Sequence, residues 1–562
     1  MILVLQLITL INLPYVIKYA FSGRLRQGWM LNRNDKLNEI TLDGRVSGNF
    51  IEKKLSKNQS SLYVKYNYWH NKLTLQLVWR CNSLTVIRLM VMILYTAIIA
   101  VALIWNNTHL QVFIRNFRRP AKVAMAQWPI LFLLSMKNNI FSIIGLSYEQ
   151  LNFLHRLIGK LIVICASIHA GLILNAQVAP LNALLGDLQF LYGLVSLSII
   201  ILITLSSFGP IRKRIYQIFL GIHVIGYPAL IFALWRHAPF THIWIIIAAG
   251  CAITDGLLKI CKTRWKSAHF TSLPGSVTMV EVTRTGTGWR AGQHVYLRVF
   301  SAKYIFEKHP FTIANAPAND TPYGSSNTLI LVSKSHGDYT RRIHQIGLTK
   351  AAFEADYSEA QIKSPAGSES SILGPSYDSQ MVVSIEGPYG SMFVDMPTYE
   401  TAILIASGVA FTFIVSLFEE IVGSALRGKT VTKIVYIVWT LRDSDMIEAF
   451  INPVQETLRV ARAMNIAVVI RVHVTSTIGT YIPPHMPELC IIPSRADIQK
   501  VIFLAVDDTV AEIYAGGISN NAQGIGIAVS TGSLSLSKAV QDAALKIDSE
   551  TFGKIGGVRV HV

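Results

Sequence analysis

The sequence predicts a multi-domain chain: an α-helical transmembrane bundle, then a short-stranded β-barrel, then an α/β domain. Three observations predict it. Apolar stretches near the roughly 20 residues that cross a bilayer recur up to Cys261. There the sequence turns, through Lys262, Arg264 and Lys266, into alternating apolar and polar residues. From Thr401 the period changes again, to strand, helix, strand, helix. The composition agrees, with 51% hydrophobic and 15% charged residues in 562, against roughly 25% charged in soluble domains. The expected domains are 1–84, an N-terminal anchor and cytoplasmic segment; 85–265, the membrane bundle; 266–395, the barrel; and 396–562, the α/β domain.

The apolar stretches lie near 1–21, 85–105, 123–145, 151–176, 184–206, 216–236 and 241–260. The first lacks a basic n-region and a small-residue cleavage site, so it reads as an anchor rather than a signal peptide. A net charge of +18 would point to nucleic acid in a soluble protein, but here the basic runs flank apolar segments. They set orientation in a lipid bilayer, and nucleic acid is not an expected partner. Arg212, Lys213 and Arg214, with Lys262 to Lys266, belong on the cytoplasmic side, which puts Arg115 to Lys122 outside against the rule. The sequon Asn106-Asn107-Thr108 falls outside in the same topology, and Asn58-Gln59-Ser60 inside. The five cysteines, Cys81, Cys165, Cys251, Cys261 and Cys490, have neither zinc nor disulfide-framework spacing.

Four histidines stand in apolar segments. His155 and His169 are 14 residues apart, and so are His223 and His237. Fourteen helical steps leave a residual rotation of about 40° and a rise of about 21 Å, so each helix shows one imidazole per leaflet on one face. One segment, 184–206, separates the two helices, which therefore run parallel. His155 then levels with His223 and His169 with His237. A lone intramembrane histidine is commonly a packed polar residue, but four at matched spacing suit the axial positions of two b-type haems. Gly159 and Gly221 would let a porphyrin approach the backbone, and Arg156 and Arg236 would meet its propionates.

In the barrel, Val277–Val282, His294–Val299, Leu329–Val332 and Met381–Ile385 read as strands, and 364–379 as a Ser, Gly and Pro-rich insertion. His309-Pro310-Phe311-Thr312-Ile313-Ala314 offers a stiffened, extended edge with one hydroxyl that can bond a flavin, or an ordinary turn and strand. Gly337-Asp338-Tyr339-Thr340, followed by Arg341 and Arg342, has the free N–H groups and charge of a pyrophosphate cradle.

In the last domain Ala402–Ile405, Phe411–Leu426, Val435–Thr440, Asp445–Ala461, Ala467–Val474, Val501–Ala505, Gly526–Ser530 and Ser535–Ala544 carry the α/β rhythm. Ser407-Gly408-Val409-Ala410-Phe411 joins a strand to a helix N-terminus, where phosphates dock; a plain turn competes, since the loop has one glycine. Arg442 can meet an adenosine 2′-phosphate or be a surface arginine.

From about Ala126 onwards the chain resembles the fungal ferric-chelate reductases, relatives of the flavocytochrome b NADPH oxidases. The residues that carry the resemblance are Lys137-Asn138-Asn139, Asn152 to Arg156, the two histidine pairs, Gly292 to Tyr296, His309 to Ala314, and Glu386-Gly387-Pro388-Tyr389-Gly390, in that order. The resemblance implies a ferredoxin-reductase-like module behind the membrane bundle, with FAD on His309–Ala314 and Gly337–Thr340. It implies NADPH on Ser407–Phe411, Arg442, Thr531 and Gly532. Electrons would pass from NADPH through FAD to the inner haem (His155, His223), the outer haem (His169, His237) and ferric or cupric chelates outside. A plasma membrane or a vacuolar or other endomembrane setting is implied, with a metal permease or oxidase downstream.

Three features depart from the family pattern. Leu404-Ile405-Ala406 stands where Ala-Gly-Gly is usual, Thr531-Gly532-Ser533 where Cys-Gly-Pro is usual, and His561-Val562 where an aromatic residue is usual. They point towards slower NADPH turnover. The competing readings are a superoxide-generating NADPH oxidase, against which the equal histidine spacing speaks, and a haem-binding accessory protein with a decayed nucleotide domain. A transporter with intramembrane histidines is a third.

Overall fold

The computed structural model describes residues 28–31, 61–77, 84–105, 109–139, 141, 146–175, 186–300, 305, 307–323, 327–349, 381–390, 395–477, 486–515 and 524–561. The expected anchor over 1–21, both sequons, Cys81 and the insertion over 364–379 lie outside these residues. The described chain forms two compact units, one over Ile87–Cys261 and one from Lys262 onwards together with the residues before Ile87.

Helix α1 (Ser61–Leu75) falls in the second unit. The first unit contains α2 (Val86–Ile104), α3 (Arg118–Ala126), α4 (Trp128–Ser135), α5 (Tyr148–Asn175), α6 (Leu188–Ser206), α7 (Tyr216–His237) and α8 (His242–Lys262). Among the described residues six helices are long and apolar enough to cross a membrane. Five are in this unit, with between 6% and 22% of their apolar windows buried, so their side chains face outwards as lipid-exposed helices do. The sixth, Gly408–Leu426, is 78% buried and is a core helix of the second unit. The chain is an integral membrane protein.

The stretch expected as one span over 123–145 folds differently. Pro129, at the second position of α4, has no N–H to continue the preceding helix, so the segment breaks at Gln127 into α3 and α4. The break is satisfied internally: buried Gln127 donates to the Val123 carbonyl (3.1 Å) and accepts from the Tyr95 hydroxyl (3.3 Å). Lys137-Asn138-Asn139 follows, and the Asn138 N–H donates to the Asp255 carboxylate in α8 (3.3 Å), which also pairs with Lys259. A carboxylate at that depth requires such partners.

In the second unit, β1 (Thr263–Leu273), β2 (Val277–Val282), β3 (His294–Val299), β4 (His309–Thr312), β5 (Leu329–Lys334) and β6 (Met381–Tyr389) form an antiparallel sheet in the order β4-β3-β6-β1-β2-β5. A bridge between Ile313 and Leu331 closes it into a barrel. Alternate residues such as Val295, Leu297, Val280 and Val282 fill the interior, joined by Leu31 from the N-terminal segment. Helix α9, over 338–349, follows β5.

The α/β domain is a parallel sheet, β10-β9-β8-β7-β11-β12, of β7 (Thr401–Ser407), β8 (Ile434–Asp443), β9 (Ala467–Thr477), β10 (Leu489–Ile492), β11 (Ile525–Ser530) and β12 (Val558–His561). Its helices are α10 (Phe411–Leu426), α11 (Met446–Ala463), α12 (Ile498–Tyr514), α13 (Leu534–Leu545) and α14 (Ser549–Lys554). The strands are apolar on both faces, as sheets covered by helices on each side are. Helix α1 seals the β12 edge: Asn71 donates to the Val558 carbonyl, and Tyr68 meets Phe552 edge-on.

Candidate functional site

The imidazoles of His155 and His223 face each other with ring centroids 6.5 Å apart, and those of His169 and His237 at 6.4 Å. Two iron–nitrogen bonds of about 2 Å, plus about 1.1 Å from each Nε2 to its ring centre, require roughly 6.2 Å. The spacing fits an iron between each pair.

Three of the four rings are oriented by the backbone. His169 Nδ1 donates to the Phe117 carbonyl (2.7 Å), His155 Nδ1 to the Leu131 carbonyl (3.0 Å) and His237 Nδ1 to the Gln189 carbonyl (2.8 Å). A carbonyl only accepts, so each Nδ1 carries the proton and Nε2 keeps its lone pair for a metal. Phe117 and Leu131, like the histidines they serve, are 14 residues apart. The α3–α4 segment therefore runs antiparallel to α5 from one imidazole level to the other. His223 differs: its Nδ1 is buried without a hydrogen-bond partner among the described residues.

Of the glycines expected to admit a porphyrin, Gly221 leaves open space, with nothing within 4 Å of a Cβ there, while a Cβ at Gly159 would touch Leu131 Cδ1 at 4.0 Å. The glycine that matters most escaped notice in the sequence. A Cβ on Gly193 would lie 2.5 Å from His237 Cε1, so only glycine in α6 lets that ring stand where it does. Beside this pair lies an apolar cavity of about 310 Å³, lined by His169, His237, Met125, Trp128, Gly193 and Leu234 among others. Arg236 is exposed, its guanidinium over the Tyr192 ring, and Arg156 reaches back to the Asn152 carbonyl.

In the barrel, His309 to Thr312 form β4 against β3, with Leu297 opposite His309 and His294 opposite Thr312. Phe311, Ile313 and Ala314 are buried, and the Ile313 and Ala314 N–H groups are used by the Gln293 and Ile330 carbonyls. The side chains open to a ligand are those of His309, Pro310 and Thr312. At the second motif Thr340 Oγ1 accepts from the N–H groups of His336 (2.9 Å) and Gly337 (3.0 Å), so part of the expected cradle caps itself. Tyr339 points inwards, its hydroxyl donating to the Leu297 carbonyl and its ring 4.1 Å from that of His309; burial pushes the phenol up to about 12. Asp338 and Arg341 remain at the surface.

In the α/β domain, topology does what the single-glycine loop could not. The chain runs from β7 through β8 and β9 to β10 on one side and returns to β11 and β12 on the other, so the switch point lies between β7 and β11. Ligands of such sheets bind at the carboxyl ends of the strands flanking that point. Ser407 ends β7 and Thr531 follows β11, and their hydroxyls meet at 2.7 Å. Gly408, at φ +54°, and Gly532 have open space where a Cβ would be. Phe411 stacks on Trp439 (4.0 Å), whose indole donates to the Gly408 carbonyl, while Val409 and Ala410 complete the turn. Arg442 is exposed near the end of β8. His561, at the expected place of an aromatic residue, is half-buried in β12 with its ring near Tyr399; desolvation of its ring nitrogens, with Arg559, holds it down at about 3.

The joint between barrel and α/β domain is polar. Gly292 donates to the Ser416 hydroxyl (3.1 Å), Arg427 pairs with Asp320, and the buried Glu419 carboxylate accepts from the Ala316 N–H (2.9 Å). No sequence motif marked Glu419.

A family described as a ferric reductase like transmembrane component matches residues 121–234, and an FAD-binding domain matches 262–392. The probable cell surface ferric reductase kap2 of Aspergillus oryzae is 28% identical, over 61% of this chain and 45% of that protein. Ferric/cupric reductase transmembrane component 2 of Schizosaccharomyces pombe is 25% identical, over 56% and 59%. The protein of the same description in Saccharomyces cerevisiae is 23% identical, over 62% and 46%. The matches thus span about half the length of these relatives. A ferredoxin NADP+ reductase from Neisseria gonorrhoeae aligns over 53% of this chain and 98% of that one, at 9% identity and a TM-score of 0.32, too low to argue from. The chain thus carries a ferric reductase like transmembrane component followed by an FAD-binding domain, and it is similar to fungal ferric and cupric reductases.

Proposed function

We propose that the chain is a transmembrane ferric or cupric chelate reductase, passing electrons from NADPH through FAD and two b-type haems to metal on the far side of a plasma membrane. The observation that carries this reading is the pair of facing imidazoles at each of two levels, set at the separation an iron needs. When bound, FAD accepts hydride and the haems exchange single electrons. The chain's own residues hold and orient. His155 with His223, and His169 with His237, would hold the two haem irons, which would then exchange electrons and not bind substrate; the Leu131, Phe117 and Gln189 carbonyls fix three of the rings. His309, Pro310 and Thr312 hold a flavin edge, with Gly337, Asp338 and Arg341 towards its phosphates. Ser407, Gly408, Thr531 and Gly532 receive the dinucleotide, with Arg442 on its 2′-phosphate. A metal permease or oxidase would take up the product.

The test is optical. Purified protein reduced by NADPH is expected to show the same haem bands as protein reduced by dithionite, and to reduce an Fe(III) chelate at a rate unchanged by superoxide dismutase. Absence of a Soret band, or loss of the signal on adding the dismutase, would overturn the reading.

A further inference from the structure

The end of the membrane unit that carries His169 and His237 is unusually basic. The described residues there, 109–122, 186–188 and 236–242, contain Arg115, Arg118, Arg119, Lys122 and Arg236 against one carboxylate, Asp187, so five cations less one anion leave +4. Arg115, Arg118, Lys122 and Arg236 are exposed, and none forms an ion pair among the described residues. Asp187 is engaged in capping α6 through the Gln189 N–H (2.9 Å). Arg119 is fixed to the Ala102 carbonyl at the end of α2 (2.7 Å).

This is the face from which basic residues are normally withheld, and the one on which anionic lipids are scarce. The charge sits directly on the redox path. Phe117, whose carbonyl orients His169, precedes Arg118 and lies under its guanidinium. Arg236 precedes His237. Helix α3 turns Ala121, Ala124 and Met125 to the cavity beside the imidazoles while Arg118 and Lys122 stay exposed. Three residues from Arg118 to Ala121 amount to about 4.5 Å along the helix. Two haem propionates would neutralise at most two of the four net charges. Guanidinium groups bind carboxylates through two parallel hydrogen bonds, and a cationic mouth concentrates anions.

We propose that Arg115, Arg118 and Lys122 form the docking site for the electron acceptor, with Arg236 left to the haem propionates, and that this acceptor is an anionic ferric polycarboxylate chelate. The inference rests on the reductase reading and names its substrate class. Full-length protein in phosphatidylcholine nanodiscs is titrated calorimetrically with Ga(III)–citrate, which binds as a ferric chelate does but is not reduced. KM is measured for Fe(III)–citrate and for the cation hexaammineruthenium(III). In the double variant Arg118→Glu, Lys122→Glu, gallium–citrate affinity is expected to fall on the order of tenfold and the KM for Fe(III)–citrate to rise to match. The KM for hexaammineruthenium is expected to fall, and added salt to narrow all the differences. Arg118→Lys retains most of the affinity. Should the double reversal lose the dithionite-reduced haem spectrum, Arg118→Gln is read in the same way.

Gallium–citrate binding indifferent to these changes overturns the proposal. So does a KM that rises equally for both acceptors, or a charge effect confined to discs containing phosphatidylserine, which would make the cluster a lipid site. Charge-dependent gallium–citrate binding by a protein that reduces neither acceptor would support the docking site and sink the reductase reading instead.

Discussion

The membrane unit and the barrel–α/β joint position their groups by opposite means. In the membrane, imidazoles are turned by backbone carbonyls of Phe117, Leu131 and Gln189, which do not titrate. At the joint, the Ala316 N–H is met by a carboxyl, Glu419, which burial pushes up to about 8 against the smaller opposing effect of that hydrogen bond. The imidazole geometry should therefore be set by helix packing alone, and the barrel–α/β module should feel pH in the neutral range.

The largest expected effect tests the first half. If the proposed reading holds, His169→Ala or His155→Ala should each lower the haem content from two per chain to one and abolish chelate reduction, with flavin reduction by NADPH intact. Pyridine haemochrome assay and stopped-flow absorbance check both. If either variant keeps both haems, helix packing is not what pairs these rings. Next comes Gly193→Val, whose side chain would press on His237. Weaker haem retention between His169 and His237, by roughly 10–100-fold, is expected with the His155–His223 pair unchanged. Resolving the two sites by low-temperature spectra separates this from general damage.

Thr531→Val takes the comparison to the nucleotide side. It removes one partner of the Ser407–Thr531 hydroxyl bridge at the switch point, and flavin reduction by NADPH should slow roughly fivefold for the loss of about 1 kcal/mol. Haem spectra after dithionite should not move. Thr531→Cys, which restores the family's thiol, should raise the rate above that of the parent; a slower Thr531→Cys would mean the crevice is built around the hydroxyl pair.

How much of this was legible in the sequence follows from the type of signal each part gives. Strands β2 and β3 have the residue bounds that alternation predicts, because one face of each is core. The histidine pairing followed from one spacing repeated twice. The break at Gln127 was hidden because 123–145 is apolar throughout, and only Pro129, inside that run, signals it. Gly193 was hidden because its neighbour is 44 residues away in sequence, at His237. The Ser407–Thr531 crevice was hidden for the same reason, since its halves are 124 residues apart and meet only through strand order. The docking of α1 on β12 and Leu31 in the barrel core are long-range contacts that a polar N-terminal segment does not announce.

The smallest expected effect concerns Glu419. Its folded-state value of about 8 lies above the ordinary 4.5, so the protonated form favours the folded joint. The stabilisation is complete below about 4.5 and is lost as pH rises through about 8. Glu419→Gln keeps a carbonyl oxygen for the Ala316 N–H but has nothing to ionise. The variant should match the parent in unfolding midpoint near pH 5 and exceed it by a few degrees at pH 8.5, read from the release of flavin fluorescence on heating. The haem bands of both proteins should stay constant across the same range, because the carbonyls that orient three of the four imidazoles do not titrate. Parallel pH profiles for parent and variant would remove Glu419 as the titrating group. A haem spectrum that shifted together with the flavin melt would remove the contrast itself, because the imidazole geometry would then depend on the joint's charge as well as on helix packing.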